Sequence, residues 1–244
     1  MTMSHSIVEI DSQLRSLERA DEREDFEAQQ KGYGSSNHRA EVRLFDKPEG
    51  YEPDVTLYRD QAAWCPYCEK VWLQLETKRI PYKVVKIPLR CYGEKPASFA
   101  RVNPSGGLPV AVIGGMTMAE SNDIMYKLER DYPQNYPLIP AEADKRDRMQ
   151  TLLRLERSAF SQWFRWLTTP NFPGLNTMGN EMDKILKEVD TALKDSGGPY
   201  FMGKDFTLVD VMFAPFLERM SASLPYYKGF ESRSDKYPHL LTWY

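Results

Sequence analysis

The sequence predicts an α/β domain with a mixed four-stranded sheet, followed by an all-α domain. The motif Cys65-Pro66-Tyr67-Cys68 stands between a β-prone run and a helical pattern. Strand and helix patterns then alternate to about residue 132, and beyond a proline-rich stretch the pattern is almost wholly helical. We therefore predict an N-terminal extension over residues 1–50, an α/β domain over 51–132, a linker over 133–142 and a helical domain over 143–244.

Composition and charge exclude several classes of protein. Of the 244 residues, 41% are apolar and 27% are charged, and the net charge is −3, so neither nucleic acid nor an anionic membrane is an expected partner. We expect no membrane-spanning segment, because no run of 18 apolar residues occurs, and no secretory signal follows Met1. Three cysteines make no disulfide framework and fit a reducing compartment such as the cytoplasm.

The extension differs from the rest of the chain. Residues 9–31 carry eight acidic and four basic side chains. Four apolar residues recur there at helical spacing, namely Ile7, Ile10, Leu14 and Leu17. Two interpretations stay open: a solvated helix that rests on the domain surface, or a helix within residues 1–30 that docks a partner protein. Residues 31–53, which are rich in glycine and serine, are predicted to be a linker.

The elements of the two domains follow from periodicity and turn residues. Strands are predicted at residues 55–58, 82–87, 108–113 and 116–118, with a hairpin turn at Gly114-Gly115. Helices are predicted from Cys65 to about Arg79, over 96–101, and from Glu120-Ser121 to about residue 131. Three longer helices follow over 143–167, 180–194 and 208–221. Thr207 and Asp210 have the spacing of a capping box at the start of the last one.

The cysteine motif predicts thiol chemistry. Cys65 would lie at a helix start, where free backbone N–H groups and the helix dipole stabilise a thiolate. Pro66 suits the first helical position, and Cys68, one turn on, is near enough to resolve a mixed disulfide on Cys65. A zinc site would need a second Cys/His pair, so we expect no metal. The other candidates are scattered: Cys91, His5, His38 and His239. Two inert thiols, or an inherited site without turnover, are the remaining interpretation.

Together these features resemble a cytosolic-type glutathione transferase. Four of them coincide in order, from about residue 55 to the end: the cysteine motif, Gly107-Leu108-Pro109-Val110, Glu120-Ser121 and the cap from Thr207 to Asp210. A cysteine in place of the usual Tyr or Ser is similar to the omega, lambda and dehydroascorbate reductase classes. Residues 57–68 look closest to the iota class of photosynthetic organisms, with its glutaredoxin-like motif, which adds the plastid stroma as an expected location.

The resemblance implies a glutathione site. Pro109 would be a cis-proline facing Cys65, and the Leu108 backbone would pair with the cysteinyl part of glutathione. Glu120 would hold the ammonium and Ser121 the carboxylate of the γ-glutamyl end, and Lys95 would hold the glycyl carboxylate. The implied glutathione-binding residues are Pro66, Tyr67, Lys95, Leu108, Pro109, Glu120 and Ser121.

The resemblance also bears on the helical domain. Trp163, Phe164, Trp166 and Phe172 are predicted to be core residues, and some of them, with Arg154 or Arg157, would line an acceptor pocket. Cys91 is interpreted as a packed or incidental thiol rather than a catalyst. The family usually begins another helix where this chain ends, at Tyr237-Pro238, so we expect either a shortened C-terminal helix or a truncated chain.

We therefore expect a glutathione-dependent thiol–disulfide oxidoreductase with Cys65 as nucleophile, acting on small or protein disulfides and on dehydroascorbate. Glutathione would be the co-substrate, and Cys68 or a second glutathione would release the product. The alternative is an interaction or structural subunit, docked through the extension, in which glutathione binding is vestigial.

Overall fold

The computed structural model describes residues 6, 8, 12–13, 16, 20–171 and 177–244. Its helices and strands are, in chain order, α1 Ala20–Gln30, β1 Val42–Arg43, β2 Val55–Asp60, α2 Pro66–Thr77, β3 Tyr82–Ile87, α3 Ala97–Val102, β4 Val110–Ile113, β5 Met116–Ala119, α4 Ser121–Asp131, α5 Ala143–Thr168, α6 Thr177–Ser196, α7 Leu208–Lys228 and α8 Pro238–Trp243. The apolar stripe predicted in the extension (Ile7, Ile10, Leu14, Leu17) and the predicted core residue Phe172 lie outside the described residues.

The sheet has the strand order β1-β3-β2-β4-β5. Strands β2 and β3 are parallel, as a βαβ unit requires, and every other neighbouring pair is antiparallel. Val55 lies opposite Tyr82 on one side and Ile113 on the other. The mixed sheet is confirmed, but it contains five strands rather than the predicted four.

The additional strand, β1, comes from the segment predicted to be a linker. Val42 and Arg43 pair with Lys83 and Tyr82. A strand of two residues has no periodicity that a sequence could reveal, which is why the prediction missed it. The Arg43 guanidinium fixes this strand, because it contacts Glu76 at 2.9 Å and donates to two carbonyl oxygens of the preceding loop.

Helix α1 precedes β1 and its last turn contacts the loop that follows it. Gln29 is buried, and its side-chain amide donates to Asp25 at 2.5 Å and to Ser35 at 2.9 Å. The last turn of α1 is therefore fixed by contacts within the extension itself. The docking of a partner by residues 1–30 stays a prediction.

The core runs continuously from the sheet into the helical domain. Residues of β2 and α2, such as Val55 and Leu75, share one buried cluster with residues of α5 to α8. The linker joins the two domains, since the N–H of Leu208 donates to the carbonyl of Leu138 at 2.9 Å. Within the described residues, no helix is both long enough and apolar enough to cross a membrane.

The C-terminal helices differ from the predicted ones in length. Helix α7 begins at the predicted capping box, where Asp210 accepts from the Thr207 N–H at 2.9 Å, but it continues to Lys228 with Pro225 inside it. It ends at Gly229, whose φ of +60° is typical of a C-terminal cap. Helix α8 is present as a single six-residue helix, and the indole of Trp243, its last residue, donates to Asp210 at 3.0 Å.

Candidate active site

Cys65 lies at the start of α2, as predicted. It is the residue before the first helical position, which Pro66 occupies, and its carbonyl accepts the first helical hydrogen bond from Glu69 at 3.1 Å. Proline fits there because a first-turn N–H has no partner within the helix. Cys65 is half-buried, Cys68 is buried, and both are free thiols.

The two thiols differ in acidity because of their environment. The pKa of Cys65 is lowered to about 7, chiefly by a hydrogen bond from the Cys68 thiol and further by the backbone amides of Cys68 and Tyr67, against the effect of burial. Burial raises the pKa of Cys68 well above its ordinary value, and the bond to Cys65 raises it further. Cys65 is thus the more acidic thiol of the pair, and Cys68 is the one that keeps its proton more firmly.

A buried carboxylate accompanies the thiols. Asp60, the last residue of β2, is fully buried, and one of its oxygens accepts from the Trp64 N–H at 2.6 Å. A carboxylate oxygen and the two Sγ atoms all lie within 4.8 Å of one another. The start of α2 therefore combines two thiols with one buried carboxylate.

The turn before Cys65 is held from the helical domain by Arg219 of α7. This buried guanidinium donates to the carbonyls of Ala63 and Trp64, at 3.2 and 3.0 Å, and forms an ion pair with Glu69. Ala63 has a φ of +55°, a conformation that costs a non-glycine residue about 1 kcal/mol or more. The contacts from Arg219 hold that strained turn in place.

Of the residues implied for glutathione binding, several are placed as expected. The Leu108–Pro109 peptide bond is cis, directly before β4. Ser121 is the first residue of α4 and is buried, while Glu120 precedes it with a φ of +64°. A strained non-glycine residue at a helix start is typical of functional sites.

Tyr67, Glu120 and Ser121 line one cavity of about 440 Å³ between the two domains. Its wall also contains two predicted acceptor residues, Arg154 and Arg157 of α5. The structure thus brings part of the predicted site together. Cys65, Cys68, Leu108, Pro109 and Lys95 do not line this cavity.

The same cavity is lined by an unexpected pair of buried charges, Lys70 and Glu156. Burial lowers the pKa of Lys70 to about 8 and raises that of Glu156 to about 7, in both cases against the attraction between them. Lys70 donates to the Asn122 side chain at 2.5 Å. In the described part of the chain, Glu156 Oε1 has no hydrogen-bond partner.

Two further predicted residues stand apart. The Lys95 ammonium donates to the Gly106 carbonyl and lies 5.5 Å from the Phe99 ring. That bond places Lys95 beside the loop that leads to Leu108. Cys91 is exposed, in agreement with an incidental thiol.

The aromatic residues of α5 divide by burial. Trp163 and Trp166 are core residues, as predicted, and the Trp163 indole donates to Ser223 at 2.9 Å. Phe164, in contrast, is 53% exposed and stacks on Phe160, whose ring also meets Tyr67 of the cysteine motif. An aromatic surface therefore extends from the motif to the outside of α5.

Sequence reasoning missed four residues of this site: Asp60, Lys70, Glu156 and Arg219. Glu156 carried a signal, because it interrupts the apolar stripe of Leu152, Ala159 and Trp163 on α5. The turn carbonyls that Arg219 binds lie about 155 positions away, so no local pattern indicated that contact.

Comparison with known proteins identifies two domain models in the chain. The glutathione S-transferase N-terminal domain matches residues 64–131, and the glutathione S-transferase C-terminal domain matches residues 174–244. Together the two matches cover more than half of the chain.

The chain is also similar to curated proteins. It is 28% identical to glutathione S-transferase DHAR2 of Arabidopsis thaliana over 68% of this chain and 71% of that protein. It is 27% identical to the chloroplastic DHAR3 of the same plant, over 68% of this chain, and spans 58% of the length of that relative. Similarity to glutathione S-transferase omega-1 of Sus scrofa is 24% over 72% of this chain and 71% of that protein.

Solved structures share the fold. Leishmania TDR1, a trimeric glutathione transferase, superposes with a TM-score of 0.68 at 26% identity, over 79% of this chain and 42% of that one. Glutathione transferase Omega 3C from Trametes versicolor superposes with a TM-score of 0.67 at 25% identity, over 79% and 84%.

Proposed function

This chain belongs to the glutathione transferase family, and on that premise we propose that it is a glutathione-dependent thiol–disulfide oxidoreductase with Cys65 as its nucleophile. The observation that carries the proposal is the position of Cys65 at the start of α2, beside the sulfur of Cys68. This environment lowers the pKa of Cys65 to about 7, which favours the thiolate, the form that attacks disulfides.

The first step is attack by the Cys65 thiolate on the sulfur of a glutathione mixed disulfide. The bond between the acceptor sulfur and glutathione breaks, the acceptor leaves as a thiol, and Cys65 carries glutathione as a mixed disulfide. The exposed ring of Trp64, next to Cys65 in the chain, and the exposed ring of Phe164, which stacks on Phe160, offer the acceptor aromatic contacts.

Glutathione binds, in this proposal, along the residues implied by the family resemblance. Glu120 and Ser121 hold the γ-glutamyl end, which then lies in the cavity that these two residues line. The Leu108 backbone, beside Pro109, pairs with the cysteinyl part, with Pro66 and Tyr67 on the motif side. Lys95 takes the glycyl carboxylate by exchanging its bond to the Gly106 carbonyl for one to the ligand.

Release of glutathione from Cys65 has two routes. A second glutathione can attack the mixed disulfide, or Cys68 can attack it from within and form a Cys65–Cys68 disulfide that glutathione then reduces. Conjugation of glutathione to electrophiles should be slow, because a cysteine stands where a hydroxyl would stabilise the glutathione thiolate. Dehydroascorbate is a second acceptor that we propose for the same Cys65 chemistry.

We also propose a reducing compartment for this chemistry, either cytosol or plastid stroma. Two relatives carry such locations in their names, the chloroplastic DHAR3 of Arabidopsis thaliana and the cytosolic DHAR1 of Oryza sativa.

The test is steady-state reduction of a glutathione mixed disulfide coupled to glutathione reductase. Cys65→Ser is expected to lower turnover at least 1,000-fold, on the order seen when catalytic nucleophiles are removed, because serine offers no thiolate. Cys68→Ser separates the routes, since a monothiol route keeps most of the turnover. Cys91→Ser, which removes an exposed thiol, is the matched control and should leave turnover unchanged.

Absence of turnover in the wild-type chain, with Cys65 alkylated no faster at neutral pH than Cys91, would contradict the proposal. That outcome would favour the alternative, an interaction subunit docked through the extension.

A further inference from the structure

One carboxylate beside the two thiols has no role in the steps above. Asp60 is fully buried at the end of β2, where its Oδ2 accepts from the Trp64 N–H at 2.6 Å. Its Oδ1 is buried and, among the described residues, has no hydrogen-bond partner. A buried carboxylate oxygen without a donor costs free energy, unless a proton on a neighbouring group can reach it.

The neighbouring groups are the two sulfurs. The ligand-type atoms of Asp60, Cys65 and Cys68 all lie within 4.8 Å of one another. The charged and titratable groups that interact with Asp60 are the guanidinium of Arg59 and the two thiols.

Cys68 needs such a neighbour if it is to react. Its side chain is 1% exposed, so bulk water has no direct access to the thiol proton. Burial also favours the neutral thiol by raising its pKa. Attack on a disulfide nevertheless requires the thiolate, so the proton must pass to a group inside the protein.

We propose that Asp60 is the proton acceptor for Cys68 when Cys68 releases glutathione from Cys65. The proposal rests on the dithiol route of the proposed function. The proton of the Cys68 thiol moves to Asp60 Oδ1, and the electron pair that remains on sulfur attacks Sγ of Cys65.

The step balances without a further reagent. The Cys65–Cys68 disulfide forms, and the bond between Cys65 and the glutathione sulfur breaks with its electrons on glutathione. Oxidation of Cys68 is matched by reduction of glutathione, and the proton on Asp60 passes to the leaving thiolate. The products are the intramolecular disulfide, glutathione and the restored Asp60 carboxylate.

The experiment isolates attack by Cys68 from recognition of glutathione. In a Cys91→Ser background, one equivalent of 5,5′-dithiobis(2-nitrobenzoate) forms a mixed disulfide on Cys65, and stopped-flow absorbance then follows the thionitrobenzoate that Cys68 displaces. Asp60→Asn retains an acceptor for the Trp64 N–H but takes up no proton, whereas Asp60→Ala removes both functions. Cys68→Ser supplies the baseline without an internal nucleophile.

We expect Asp60→Asn to slow the displacement about 100-fold near neutral pH, on the order given by general base catalysis. Its rate should then rise about tenfold per pH unit, as hydroxide replaces the carboxylate, while the wild-type rate stays nearly level. Displacement by Asp60→Asn at the wild-type rate would overturn the proposal, whether or not Asp60→Ala is slow, because the carboxylate would then at most position Trp64.

Two provisions keep the test decisive. If the Asp60 variants do not fold, the pH dependence of the wild-type displacement rate provides the test. A wild-type rate that rises tenfold per pH unit around neutrality would overturn the proposal. A wild-type chain that fails on the glutathione mixed disulfide but shows fast, Asp60-dependent displacement would refute the proposed function and leave this inference standing.

Discussion

Two buried arginines approach the turn that carries Cys65, and they differ in their hydrogen-bond and ion-pair partners. Arg219 reaches it from the helical domain, with carbonyl partners at Ala63 and Trp64 and a carboxylate partner in Glu69. Arg59 approaches from the sheet and donates to the carbonyls of Asp60 and His38, at 2.8 and 2.6 Å. In the described ion pairs Arg59 has no carboxylate partner, and its Nε has no hydrogen-bond partner.

The difference shows how each domain is tied to the site. Arg219 compensates a partly buried acid on α2, so its loss would leave Glu69 without its ion-pair partner. Arg59 instead links the active-site strand to the extension through His38, and the ring of Trp72, 4.6 Å away, gives it a cation–π contact. Its loss would leave two carbonyls without donors, but it would break no direct ion pair of the described residues.

The largest effect is expected for Arg219, the arginine that has a carboxylate partner. Arg219→Met should lower the free energy of unfolding by about 3 kcal/mol, the lower end of the loss for a broken buried ion pair, because Glu69 is only partly buried and loses its partner. Urea denaturation measures the loss, and the double variant Arg219→Met/Glu69→Gln should recover part of it. A loss below about 1 kcal/mol in the single variant would show that the ion pair does not anchor the turn.

A smaller effect is expected for Arg59, the arginine that forms no direct ion pair within the described residues. Arg59→Met should cost about 1–3 kcal/mol, since two charge-assisted hydrogen bonds are lost while the desolvation of an unpaired guanidinium is relieved. Arg79→Met is the control, because Arg79 is exposed, pairs with Asp46 at 2.8 Å, and should cost less than about 1 kcal/mol. Equal losses in the Arg59 and Arg219 variants would break the comparison.

The third prediction concerns the pH dependence of stability and Glu156, the buried acid that lines the cavity between the domains. The pKa of Glu156 is raised by burial to about 7 from a model-compound value of 4.5, so the folded chain holds a proton that the unfolded chain loses first. Stability from this group is present below pH 4.5 and is lost as pH rises through about 7. The slope it adds is at most about 1.4 kcal/mol per pH unit.

Glu156→Gln should flatten that part of the stability profile. Urea unfolding at several pH values between about 5 and 7 measures the slope. Glu181→Gln, which changes an exposed side chain of α6, is the matched control. An unchanged slope in Glu156→Gln would mean that the acid is ionised throughout and that Lys70 compensates it fully.

Local signals account for what the sequence revealed. The cysteine motif, the Gly114-Gly115 hairpin and the Thr207–Asp210 cap each depend on neighbours within a few positions, and all three occur as predicted. Pro109 was found through the family resemblance rather than through its own neighbours. The mixed sheet followed from the order of strand and helix patterns.

The remaining parts of the site depend on contacts that no local pattern encodes. Arg219 meets the turn only when α7 packs on α2, and Asp60 faces the thiols only when β2 ends beside the first turn of α2. The strand β1 is too short to produce an alternating pattern. Charges inside an apolar helical stripe, such as Glu156, are the one general signal that a second reading of the sequence could use.

The position of β1 has a consequence for how this chain behaves among other chains. An outer strand with free backbone groups is a template on which another molecule can add its own strand. The extension occupies that position on β3, because Val42 and Arg43 pair with it and the Glu41 carbonyl accepts from the Val84 N–H at 2.8 Å. Loss of the extension to a protease would uncover this edge of β3, and we expect that other chains would then add a strand there more readily.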